Sequence, residues 1–257
     1  MASPSPIQRL IARGGAGLPP RLRVVGRGAL SFGESLLKRG DGVQCPCCAG
    51  RFRSFSGSGG NARCPRCWSL ARHRTLYLYL RDNGLLRPSL RLLHVAPEEG
   101  IYRHLRGNEG YVPADLFPGT RSVAQFSVEE IPHPDDSFDV VLCSHVLEHV
   151  SDDVRAMREF RRILAPTGRA ILQHPIKLTL AHSFEDDAIS SPEERERAYG
   201  QHDHLRLYGR DFGARLRSVG FDVEVIRYSD ELSYRDRRRF GLFDEGEIND
   251  GDLYIGR

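Results

Sequence analysis

Along residues 91–173, short apolar runs alternate with segments whose apolar positions recur at helical spacing. Residues 91–96 (RLLHVA) form an apolar run followed by Gly100 and a helical stretch over 101–105. Residues 111–116 (YVPADL) read as a second strand that ends on an acid, and 125–131 as a weaker third. Residues 138–144 (FDVVLCS) are nearly continuous in apolar character, the pattern of a strand buried on both faces. Ser151, with Asp152 and Asp153 in the first turn, opens a helix that runs to Leu164 and stops before Pro166 and Gly168. Residues 169–173 are the fifth strand, and 210–219 a later helix. This alternation predicts an α/β fold with a mostly parallel, doubly wound sheet and ligands beyond the carboxyl ends of its strands. Two later strand-like segments, 221–228 and 252–255, are joined by a polar stretch and are expected to form an antiparallel edge.

Upstream the pattern is different. Residues 68–80 (WSLARHRTLYLYL) read as a helix, while residues 41–70 are rich in Cys, Gly and Ser and too few to bury a core of their own. The chain is therefore divided into a basic, flexible or helical arm (1–40), a cysteine module (41–70), a connecting helix (71–90) and an α/β domain (91–257). Its 257 residues include 40% hydrophobic and 28% charged side chains, which fits a folded chain and excludes wholesale disorder. No apolar run approaches the length of a membrane span, and the first residues lack the apolar core of a secretory signal, so a cytoplasmic location is expected. The net charge of +3 hides an asymmetry. Residues 1–75 carry thirteen Lys/Arg against Glu34 and Asp41, or +11, leaving −8 for the rest. A basic front suits an anionic partner or a solvated arm.

Cys45, Cys48, Cys64 and Cys67 fall as C-x2-C, fifteen residues, C-x2-C, the spacing of two tight turns that offer four thiolates to one tetrahedral zinc. Pro46 and Pro65 stiffen the two turns, and residues 54–61 supply a Gly/Ser hairpin between them. Four protein ligands leave no open position, so the expected zinc is structural. A disulfide framework fits this spacing less well. Cys47 is the alternative to Cys48 as a ligand, and Cys143, in an apolar strand, is a core residue.

Residues 134–168 (PDDSFDVVLCSHVLEHVSDDVRAMREFRRILAPTG) resemble the class I S-adenosylmethionine-dependent methyltransferases, in particular the type 11 group with its FD-x-V and VLEH-V run. The resemblance covers residues 90–257. The LHVAPE run and the H-x-H-x-R stretch are similar to a subset that also carries a cysteine module. The resemblance implies S-adenosylmethionine as cofactor and places its site at His94, Ala96, Glu98 and Gly100 after the first strand, Asp115 and Leu116 after the second, Ser127 and Val128 after the third, and Ser144 and His145 after the fourth. Asp115 matches the acid that holds the ribose hydroxyls. Where the family has a glycine-rich turn, this chain keeps only Gly100, and Glu98 stands inside that turn.

A substrate-covering insertion is expected at about 176–209. Within it, His202 and His204 are the candidate bases, and Arg206 and Tyr208 the candidate substrate contacts. A second metal site from these histidines is not expected, because only Asp203 lies nearby as a further ligand. The H-x-x-E-H run at His145, Glu148 and His149 follows a buried strand, not the exposed helix that a zinc peptidase needs. The expected function is transfer of a methyl group to a hydroxyl of a small-molecule or sugar-type acceptor. An RNA methyltransferase using the basic front is the alternative. A non-catalytic, zinc-stabilised interaction protein with a vestigial pocket is the alternative of another class. An NAD-dependent dehydrogenase lacks its G-x-G-x-x-G fingerprint here. No protein partner is implied.

Overall fold

The computed structural model describes residue 31 and residues 33–117, 124–242 and 247–257. Most of the arm expected over 1–40 lies outside them. Two short strands, β1 (Arg39–Gln44) and β2 (Arg51–Phe52), pair antiparallel and carry the first pair of cysteines between them. The connecting helix is α1 (Ala71–Asp82), three residues later than the apolar pattern suggested, because Trp68 adopts a left-handed backbone (φ 61°) that a helix cannot contain.

The α/β domain follows as β3 (Leu92–Val95), α2 (Glu99–Leu105), β4 (Tyr111–Asp115), β5 (Ala124–Gln125), β6 (Phe138–Ser144), α3 (Asp153–Ile163) and β7 (Leu164–Gln173). After β8 (Ile176–Lys177) come α4 (Pro192–Tyr199), α5 (Phe212–Arg217), β9 (Val223–Ile226), α6 (Tyr234–Phe240), β10 (Ile248–Asn249) and β11 (Leu253–Gly256). The main sheet has seven strands in the order β5-β4-β3-β6-β7-β11-β9. β3 to β7 run parallel, and β11 lies antiparallel between β7 and β9, the edge expected from the sequence.

Period-two alternation sends the two faces of the sheet to two cores. Val140 and Leu142 of β6 join Leu92, Ile171 and Ile255 on the face covered by α1, α2 and the cysteine module. Val141 and Cys143 join Leu93, Ala170 and Leu172 on the face covered by α3 and α5. Helix α3 presents Ala156, Met157, Phe160 and Ile163 to that core, a spacing that places all four on one stripe. Its cap is Asp152, whose carboxylate accepts from the N–H of Arg155 at 2.8 Å; Ser151, expected there, lies one residue outside. The third strand is only two residues long, and the helix expected over 210–219 is confined to α5. The polar stretch after β9 holds α6 and β10, and β10 pairs with β8.

The cysteine module is packed onto the sheet domain. Arg74 of α1 is fully buried and donates to four carbonyls: Ala62 (3.0 Å) and Ser69 (2.6 Å) of the module, and Phe240 (2.7 Å) and Gly241 (2.9 Å) at the end of α6. Its guanidinium also lies 4.0 Å over the Phe55 ring. His104 of α2 bonds to the carbonyl of Cys47 at 2.6 Å. No helix among the described residues is long and apolar enough to cross a membrane.

Candidate functional site

The strand order reverses between β3 and β6, and at such a switch point the loops on either side diverge and leave a crevice beyond the carboxyl ends. A cleft of about 480 Å³ occupies that place. It is walled by the ends of β3 (Ala96), β4 (Asp115, Leu116, Phe117), the segment after β5 (Phe126 to Glu129) and the turn after β6 (His145, His149). Two of these residues, Ala96 (φ 48°) and His145 (φ 53°), hold left-handed backbones without being glycine. Such strain costs roughly 1–2 kcal/mol at each position, and it persists here where two strands must turn sharply away from a pocket.

Asp115 closes β4 and turns its carboxylate back on the chain. One oxygen accepts from the N–H of Phe117 at 3.2 Å, which fixes the side chain at the mouth of the cleft and leaves the second oxygen without a hydrogen bond among the described residues. Phe117 and Phe126 add aromatic surface beside it. After β5, Ser127 and Glu129 bond to one another, the Ser127 Oγ to the Glu129 carboxylate at 3.2 Å, and the same carboxylate accepts from the N–H of Asp152 at 2.6 Å.

Six of the expected cofactor residues line this cleft: Ala96, Asp115, Leu116, Ser127, Val128 and His145. Four do not. His94 sits in the middle of β3 with its side chain on the α1 side of the sheet, fully buried between the Tyr111 hydroxyl (2.9 Å) and the Glu98 carboxylate (2.8 Å). Glu98, held by His94, is not among the residues that wall this cleft. Burial alone would raise its carboxyl, but the hydrogen bond and charge of His94, with His73 nearby, bring it down to about 2. Gly100 faces the module: a Cβ there would stand 3.3 Å from Cys47 Cβ and 3.4 Å from Ser69 Cβ. Ser144 is buried against the amide oxygen of Gln173 (3.2 Å). Strand alternation puts His94 and Ser144 on the α1 side of the sheet, whereas Glu98 and Gly100 lie beyond β3, at the cap and in the first turn of α2.

The segment 201–208 folds back over the turn after β6. Leu205 donates its N–H to the carbonyl of Glu148 at 2.8 Å. Arg206, expected to bind substrate, instead donates to the carbonyls of Leu147 (2.8 Å) and Ser151 (3.0 Å) and pairs with Glu185 at 2.9 Å. Tyr208, also expected to meet substrate, is buried and donates to Asp153 at 2.7 Å. Both hold the segment down. Of the two candidate bases, His202 is exposed and His204 is buried behind His149, ring to ring at 4.7 Å. Burial pushes the His204 imidazole below its ordinary range. His149 lines the cleft together with His145 and has Asp203 beside it. Glu148 lies beneath, fully buried, between His174 (2.9 Å) and His145 (3.3 Å). Burial would raise its carboxyl, but those two histidines hold it well below the usual carboxylate range.

The cysteines gather as their spacing implied. The sulfurs of Cys45, Cys48, Cys64 and Cys67 lie within 4.8 Å of one another, with Cys45 to Cys67 at 3.5 Å and Cys48 to Cys64 at 3.6 Å. All are free thiols. Four sulfurs about 2.3 Å from a tetrahedral zinc would stand about 3.8 Å apart, so the cluster fits that ion. Cys47 is not one of the four: its sulfur lies beside Cys45 but 3.8 Å from the His73 carbonyl, and it packs against Gly100.

Residues 104–172 match the family described as methyltransferase domain. The matched stretch runs from the end of α2 into β7 and takes in β4, β5 and β6 but not β3. Among curated proteins, the chain is similar to the uncharacterized methyltransferase YcgJ of Bacillus subtilis, 44% identical over 48 residues that make up 19% of each chain. It is also similar to the ubiquinone/menaquinone biosynthesis C-methyltransferase UbiE of Vibrio parahaemolyticus, 41% identical over 39% of this chain and 47% of that protein. The matches thus span about a fifth and about half of these relatives. Among solved structures, the YcgJ protein superposes with a TM-score of 0.46 at 17% identity, covering 72% of this chain and 96% of that one. An S-adenosylmethionine-dependent methyltransferase from Mesorhizobium loti gives 0.45 at 18% identity over 71% and 98%.

Proposed function

We propose that this protein is an S-adenosylmethionine-dependent methyltransferase that methylates a small-molecule or sugar-type acceptor at a hydroxyl. The observation that carries this reading is Asp115. It stands at the carboxyl end of the second parallel strand, on the wall of the switch-point cleft, with one carboxylate oxygen that takes no hydrogen bond from the described residues. A carboxylate is acceptor-only and suits the two hydroxyls of a ribose. Phe117 and Phe126 would flank the adenine, and Glu129, an acid the sequence pattern did not single out, stands beside the Ser127 position as an acceptor for its amino group.

When bound, S-adenosylmethionine supplies an electrophilic methyl group for direct displacement. The work left to the chain is to align the acceptor with it and exclude water, effects that can reach about 7–11 kcal/mol. His149 faces the cleft and is held by Asp203, with its Nδ1 3.2 Å from the Asp203 carbonyl and 3.4 Å from the carboxylate. It lines the cleft, as neither His202 nor His204 does, and so stands nearest to an acceptor bound there. The four thiols would hold a structural zinc, and Arg74 beside them fixes that module to the sheet.

Calorimetry with S-adenosylmethionine and its demethylated product tests the reading. Binding of both is expected, and Asp115→Ala should weaken it by about 10- to 100-fold, the loss of one or two hydrogen bonds to a charged group. Absence of binding to either ligand would refute the enzyme reading. Unchanged affinity in the variant would refute the role of Asp115. Arg39, Arg51, Arg53 and Arg66 are exposed on the module side, which keeps RNA as the second reading for the acceptor. A steep loss of RNA affinity with added salt would favour it.

A further inference from the structure

The residues around Glu148 form a second cluster that neither the cofactor reading nor the four-cysteine module uses. One ligand atom each from Glu148, His149 and His204 lie within 4.8 Å of one another. Glu148 and His149 come from the turn after β6, and His204 from the segment that folds back over it. His204 is 4% exposed, yet neither of its ring nitrogens has a hydrogen-bond partner among the described residues, and Oε1 of Glu148 has none of good geometry, its nearest donor being Nδ1 of His145 at 3.3 Å. Buried polar atoms left without partners are rare in folded proteins and call for an unseen ligand or ion.

We propose that Glu148, His149 and His204 bind a divalent transition-metal ion of the zinc class at the edge of the cleft. Two imidazoles and one carboxylate are the donor set of open zinc sites, in which three protein ligands leave a position for water or substrate. His149 lines the cleft, so the open position faces it. The surroundings supply what a ligand set needs in order to keep its geometry. Oε2 of Glu148 is taken by Nδ1 of His174 at 2.9 Å, which leaves Oε1 for the ion. Asp203 orients the His149 ring through its carbonyl at 3.2 Å. The backbone bond from Leu205 to Glu148 and the Arg206 bonds to the carbonyls of Leu147 and Ser151 hold His204 over the turn. His145, 3.3 Å from Oε1, completes the wall of the cluster. Among the described residues, the four cysteines are the only other group of potential ligands gathered this closely.

The sequence expectation of no second site rested on the spacing within 201–208, where Asp203 was the sole acid. The carboxylate instead comes from Glu148, which the return of that segment brings beneath His204.

The test uses the full chain without S-adenosylmethionine, so that its outcome is independent of cofactor binding. Protein dialysed against buffered micromolar Zn²⁺ is assayed by elemental analysis, and Co²⁺ is then used as a spectroscopic probe. Wild type should retain one equivalent more than His204→Ala, whether or not the thiol site is filled. The extra Co²⁺ should give weak visible bands with no thiolate charge-transfer absorption. His149→Gln, at a half-buried position less exposed to folding failure, should lose the same equivalent. His174→Asn should keep the site but weaken it by roughly 10- to 100-fold, the usual effect of an outer-shell partner. Equal metal content in wild type and both ligand variants would overturn the proposal. So would an extra equivalent whose spectrum shows thiolate ligation.

Discussion

Replacing Arg74 by methionine should remove the tie between the cysteine module and the sheet domain while keeping the length of the side chain. Arg74 is fully buried, and no carboxylate among the described residues accepts from it; its donors go to the carbonyls of Ala62, Ser69, Phe240 and Gly241. A hydrogen bond with one charged partner contributes about 1.5–3 kcal/mol, so four would amount to roughly 6–12 kcal/mol if they were independent. They are not independent, because one guanidinium serves all four and the carbonyls can relax toward water. Each buried carbonyl left unsatisfied costs about 1–3 kcal/mol, and with some of the four relaxing toward water the loss expected here is about 3–5 kcal/mol. Against a total stability of about 5–15 kcal/mol it is a large share. The charge has a second role, since burial disfavours it while the neighbouring thiolates of Cys45, Cys64 and Cys67 favour it. A zinc held by four thiolates carries net negative charge, which Arg74 would offset. Urea unfolding of the metal-loaded protein, followed by tryptophan fluorescence and far-UV circular dichroism, measures the loss. Zinc release to a colorimetric chelator at low urea should accelerate in parallel. A loss below about 1 kcal/mol, with unchanged zinc release, would refute the view that one buried cation joins the two parts.

Three further outcomes can be checked. Cys48→Ser should abolish tight zinc retention by the module, whereas Cys47→Ser should leave its stoichiometry unchanged, because the Cys47 sulfur is not one of the four in the cluster; equal retention in the two variants would reverse the assignment. Gly100→Ala should be near neutral, since the tight 3.3 Å approach of its Cβ to Cys47 asks the neighbour to give by a few tenths of an ångström while alanine gains about 1 kcal/mol of helix propensity, but Gly100→Leu should overpack the contact by about 1–3 kcal/mol, read as a fall in Tm. Burial, opposed in part by Glu98, lowers His73 from 6.5 to about 4. With the folded value depressed, the unfolded chain takes up the proton first. The His73 contribution to stability is therefore intact above pH 6.5 and is lost progressively as pH falls toward 4. Urea midpoints between pH 7.5 and 5 should fall accordingly, and His73→Gln should flatten that slope; an unaltered slope would assign it to other groups.

Local pattern was enough for several features. The apolar runs of β3, β4, β6 and β7 are visible because a strand buried on both faces must be apolar at nearly every position. Asp115 is visible because it ends such a run. The four cysteines are visible because two tight turns need that spacing. What pattern could not decide is which remote group each buried polar atom meets. His94, Glu98 and Gly100 are close in sequence to a cofactor turn, yet the pleat and the packing of α2 turn them toward the cysteine module and α1. Phe126 and Glu129 reach the cleft only because β5 is short and the chain turns after it. Arg206 and Tyr208 have the chemistry of ligand-binding residues, and tertiary packing uses it to hold down a loop. His204 meets Glu148 and His149, and Arg74 meets Phe240, through contacts between distant parts of the chain. Periodicity reports the face on which a side chain lies, because that is set by bonds along the chain. Its partner across the face is set by the fold as a whole.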